Sequence, residues 1–79
     1  MYRNDRSPLP PWIEDAYETL ADEIDQQEGG IATARAQALL YTVNLIEDEA
    51  DVHYAIDRLL NRGYLYTVEG ELFVTEPDQ

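Results

Sequence analysis

The side chains that carry most enzyme chemistry are scarce in this 79-residue chain. Ser7 is the only serine and sits in a proline-rich stretch, His53 is the only histidine, and there is no cysteine or lysine. A thiol nucleophile, a zinc-thiolate site, a disulfide framework, a Schiff-base lysine and a lysine phosphate clamp are therefore all absent. With 17 aspartates and glutamates, a neighbouring carboxylate pair says nothing specific about acid–base catalysis. The run Glu47, Asp48, Glu49, Asp51 invites a calcium reading, but it lacks the spaced oxygen ligands and turn glycine of an EF-hand. Placed at a helix start, the same acids complement the helix dipole. The sequence leads us to expect no catalytic residue, no metal or cofactor and no small-molecule substrate. It does not read as an enzyme.

The polar groups that remain suit binding. Arg35 and Gln37 fall in one segment, and Tyr54, Arg58, Asn61 and Arg62 in another. Arginine, tyrosine, asparagine and glutamine hydrogen-bond phosphates and base edges, so these six are the candidate DNA-binding residues. Tyr64, Tyr66 and Phe73 form a second group, whose aromatic surface suits an interface.

The element that must position both groups is Asp48 to Thr75. Asp48 is placed to cap a helix, and Val52, Ala55, Ile56, Leu59 and Leu60 recur on one helical face. Arg58 and Arg62 lie toward its negative end, and Gly63 ends it. Two alternating runs, Tyr64 to Val68 and Glu71 to Thr75, flank Glu69-Gly70, a hairpin signal. That turn pairs Val68 with Glu71, Tyr66 with Phe73 and Tyr64 with Thr75 on the outer face. Leu65, Thr67, Leu72 and Val74 point to the core.

A helix ending in LLNRGYLY, followed by a hairpin closing on LFVT, resembles the third helix and wing of a winged helix-turn-helix domain. The resemblance spans Ile31 to Thr75. It implies an α+β fold of three helices with a C-terminal β-hairpin wing, in which the third helix is the recognition helix.

Upstream, residues 1–10 read as a tail or a strap across the body, 11–76 as the winged-helix domain and 77–79 as a C-terminal tail. Pro11 suits the first turn of a helix, Ile13, Ala16, Tyr17, Leu20 and Ile24 mark its apolar stripe, and Gly29-Gly30 ends it. Unless the hairpin aromatics form a dimer interface, either the N-terminal tail or this helix, through Trp12 and Tyr17, is placed to cover them. Ile31 is positioned to add a short strand, and Thr33 to cap a second helix whose Ala36, Leu39, Leu40 and Val43 face the core. Leu45 and Ile46 then plug the core. From Gly29 to Ile46 there is no acidic residue. Two explanations stand side by side: this helix is the most buried element, or its outer side faces phosphate or a protein.

The net charge of -12, with five arginines as the only basic residues, resembles the surface of halophilic proteins. Molar salt shortens the screening length to about 3 Å, which removes most self-repulsion. An apolar fraction of 44% with clear periodicity argues against disorder. No run approaches membrane-spanning length and no signal peptide is visible, so a cytoplasmic location is expected. The leading expectation is a small, dimeric DNA-binding or transcription-regulating protein of a halophilic archaeon or its virus. The alternative is a winged helix used only for protein–protein contact, and a DNA mimic stands third. Glu49 and Asp51 on the recognition helix, and Glu69 and Glu71 at the wing tip, count against duplex binding.

Overall fold

The computed structural model describes residues 9–75. The chain runs α1 (Pro11–Gln27), β1 (Ile31–Ala32), α2 (Thr33–Thr42), α3 (Glu49–Asn61), β2 (Leu65–Val68) and β3 (Glu71–Val74). The strands form one antiparallel sheet in the order β1-β3-β2. Three helices with a short strand before α2 and a closing hairpin make this a winged helix-turn-helix fold. Among the described residues no helix is long and apolar enough to cross a membrane.

α1 starts on its prolines. The Pro10 carbonyl accepts from the amides of Ile13 and Glu14, both at 3.0 Å. Ile13, Ala16, Leu20 and Ile24 are buried, at the helical spacing read from the sequence. Leu9, assigned by sequence to the tail, is buried in the same core, so the body extends to it; Tyr2 and Ser7 lie outside the described residues. The helix stops one residue before the expected glycine pair. Glu28 takes the left-handed conformation, with φ 58°.

α3 follows its sequence signals. The Asp48 carboxylate accepts from the Ala50 amide at 3.0 Å, and Val52, Ala55, Ile56 and Leu59 are buried. Its end is a Schellman motif: Tyr64 N–H bonds the Leu59 carbonyl at 2.9 Å and Gly63 N–H the Leu60 carbonyl at 3.1 Å. Gly63 has φ 83°, a conformation costly for a residue bearing Cβ. The hairpin register is the one expected, with Val68 opposite Glu71 and Tyr66 opposite Phe73. Glu69 and Gly70 both have positive φ, as a type I′ turn requires.

β1 forms as expected, pairing Ile31 with Leu72. Gly30 leads into it with no room for a larger residue: a Cβ there would lie 2.7 Å from Phe73 Cζ and 3.0 Å from the Leu72 carbonyl oxygen.

The α2 region departs from expectation in three ways. Thr33 is the first residue of the helix rather than its cap, and its hydroxyl donates to the Gly70 carbonyl at 3.1 Å, tying α2 to the wing turn. Only Ala36 and Leu40 are buried, with Leu39 packed partly against them, while Val43 is 59% exposed. Leu45 does not plug the core. It is 74% exposed with φ 57°, and Ile46 alone of the pair packs inward. Half of α2 is nevertheless exposed, through Ala34, Arg35, Ala38, Tyr41 and Thr42, and none of these positions carries an acid. Burial does not explain its lack of acids.

Candidate recognition surface

The outer side of α3 presents Ala50, Tyr54, Asp57 and Asn61 to solvent, with Arg58 and Arg62 half-buried along its flank. Tyr54, Arg58 and Arg62 follow one another at i, i+4 and i+8, so they line a single ridge of the helix. Trp12 of α1 stacks on Tyr54 with ring centroids 6.1 Å apart, and the Arg58 guanidinium lies 6.0 Å from the Tyr54 centroid. The ladder orders the Arg58 stem, since a cation over an aromatic face is attracted to it. Among the described residues, neither Arg58 nor Arg62 has an ion-pair partner.

Trp12 was expected over the hairpin. Five residues separate it from Tyr17, about 140° around a helix, so the two cannot face the same element. Tyr17 packs on Tyr64 with centroids 5.4 Å apart, and Trp12 turns to α3. Helical spacing alone contains this distinction.

Arg35 and Gln37 are not brought to the α3 ridge. Arg35 donates from Nε and Nη2 to Glu23 Oε2 at 3.2 and 3.0 Å, so α2 is clamped to α1. Gln37 is half-buried. The rest of the exposed α2 surface is neutral: Ala34, Ala38 and Tyr41 share one face at i, i+4 and i+7, and Val43 and Leu45 follow in the turn. The Tyr41 hydroxyl is held above its ordinary pKa of 10.0 by partial desolvation and then by the Glu49 and Asp48 carboxylates.

The aromatic trio of the hairpin is divided. Tyr66 and Phe73 stack, with centroids 5.4 Å apart and planes 16° from parallel, but Tyr64 is drawn to Tyr17 and the core. The last turns of α1, through Ala21, Ile24, Asp25 and Glu28, form an open groove with Phe73, Val74 and Tyr66. Tyr66 and Val68 remain 46% and 48% exposed. Among the described residues no group of three or more His, Asp or Glu side chains is placed to hold a metal ion.

Comparison of the chain with family models, curated proteins and solved structures returns no match.

Proposed function

We propose that this winged helix is a protein-contact module of a halophilic organism, with no catalytic role and acting in the cytoplasm. The observation that carries the reading is the surface of α2 and the turn after it. In a chain with 17 acids, an exposed stretch without one is kept neutral for a reason, and burial is not that reason. Its Ala34, Ala38, Tyr41, Val43 and Leu45 offer uncharged, largely apolar surface, the composition of an interface core that must be desolvated. Phosphate would demand the opposite. Non-specific duplex binding draws essentially all of its affinity from phosphate contacts and the counterions they release. Among the described residues the cations of this ridge are Arg58 and Arg62, on a helix that also carries Glu49, Asp51 and Asp57, and Glu69 and Glu71 flank the wing tip.

DNA binding is the second reading, favoured by one observation: the Tyr54–Arg58–Arg62 ridge leaves two arginines without carboxylate partners among the described residues. Fluorescence anisotropy with a generic duplex, run from dilute to molar KCl, separates the two. The protein-contact reading expects no binding at any salt. It also expects a protein retained from native extract by the wild type to be lost with Ala38→Glu and kept with Glu18→Lys. Duplex binding that Arg58→Glu abolishes, with an unchanged circular dichroism spectrum, would install the DNA reading instead.

A further inference from the structure

β2 lies at the edge of the sheet and, though only four residues long, lacks the proline, charge and bulge that protect other edges. Its sequence, Leu65-Tyr66-Thr67-Val68, contains no proline and no charge, and its register against β3 runs without a bulge. The pairs Tyr66–Phe73 and Val68–Glu71 turn their backbone groups toward β3, by the alternation of an antiparallel hairpin closed by a two-residue turn. The Thr75 amide on the Tyr64 carbonyl, at 3.0 Å, fixes the same phase. The N–H and C=O groups of Leu65 and Thr67 therefore point outward, and no backbone partner meets them among the described residues.

We propose that a second copy of this chain occupies that edge, its β2 running antiparallel to the first and joining the two sheets into one. The edge is complementary to itself in one register, with the two-fold axis at Tyr66. Leu65 then exchanges both backbone bonds with the partner's Thr67, and Thr67 with the partner's Leu65. Tyr66 meets the partner's Tyr66 as the close, non-hydrogen-bonded pair, where cross-strand aromatic contacts are strongest. The existing Tyr66–Phe73 stack continues across the axis, and Val68 comes opposite the partner's Tyr64. The flanks of Tyr66 and Val68 that face the partner strand are both covered. Charge agrees with the register: the end of β2 that follows Arg62 lies beside the partner's turn bearing Glu69, on both sides of the axis. A parallel arrangement would put like charges together. The inference is independent of what α2 or α3 contacts.

Light scattering in molar KCl, where screening removes long-range repulsion between two acidic chains, reads the assembly directly. The wild type is expected to scatter as two chains and Thr67→Pro as one. That proline deletes an amide β3 does not use, so the hairpin survives it. Should Thr67→Pro fail to fold, Tyr66→Lys decides, since it keeps every backbone group and places like charges across the axis. Hydrogen exchange adds a measurement on the unmodified protein. Leu65 and Thr67 amides are expected to be protected as well as those of Tyr66 and Val68. A wild type that scatters as one chain at high concentration in molar KCl would overturn the proposal. So would fast exchange at Leu65 and Thr67, or a dimer that persists in a folded Thr67→Pro or Tyr66→Lys protein.

Discussion

Of the four glycines, Gly30 has the least room for a side chain. It lies where the chain leaves α1 and enters β1, with the Phe73 ring and the Leu72 carbonyl where a Cβ would stand. A methyl group there must displace a ring already stacked on Tyr66, or move backbone that pairs with Ile31. Gly30→Ala is therefore expected to cost about 1–3 kcal/mol, the range for overpacking a fitted site. Thermal or urea unfolding measures the cost. A double-mutant cycle with Phe73→Leu assigns it, since removing the ring should recover part of the loss. Equal costs in both backgrounds would place the strain in the Leu72 carbonyl contact alone. Sequence marks Gly30 only as a helix terminator, and the αL conformation that ends α1 belongs to Glu28. A close approach between residues 43 apart in sequence leaves no local trace.

At the scale of elements, legibility followed periodicity. α1, α3 and the hairpin each carry a repeating apolar face plus stop signals, and structure and sequence agree on their bounds and register. Thr67, read as core-facing, is nonetheless exposed and Val74 is half-buried. The three-helix fold with a C-terminal wing was readable for that reason. α2 has ten residues and two buried positions, too few for a period to fix which side faces inward, so Val43 and Leu45 were assigned to a core they do not join. The candidate site was half legible. The α3 ridge follows from spacing, but the Arg35–Glu23 clamp and the Trp12–Tyr54 stack depend on how helices pack. Leu45 shows what the turn gives up: a residue 74% exposed with φ 57° costs backbone energy without burying a side chain. Leu45→Asn is expected to stabilise the fold by up to about 1 kcal/mol, because asparagine tolerates that conformation. In a domain this size that raises Tm by about 4–8 °C. An unchanged or lower Tm would mean that the leucine packs in the native state. A strained, exposed apolar residue points to a contact outside the fold, consistent with the proposed role of this surface.

Over the whole molecule the governing fact is a net charge of -12 on 79 residues. Most of the acids sit on outward faces: Asp15, Glu18, Asp22 and Asp25 along α1, Glu47 to Asp51 before and at the start of α3, and Glu69 and Glu71 at the wing tip. Only one carboxylate–arginine pair is formed among the described residues, Glu23 with Arg35, so attraction within the fold offsets little of the repulsion. The core that opposes it is small, built of 14 buried apolar residues among those described. At 0.1 M salt the screening length is about 10 Å and acids on neighbouring elements repel; at 1 M it is about 3 Å and they do not. The protein is therefore expected to gain stability steeply from dilute to molar KCl. Each kcal/mol of relieved repulsion adds about 4–8 °C to Tm. Sodium chloride should act as KCl does if screening is the cause, since screening depends on ionic strength alone. Circular dichroism melts across a KCl series provide the check, and the monomeric Thr67→Pro variant separates folding from assembly. A flat Tm in that variant would mean that the acidic surface is not an adaptation to salt, and would return the DNA-mimic reading to consideration.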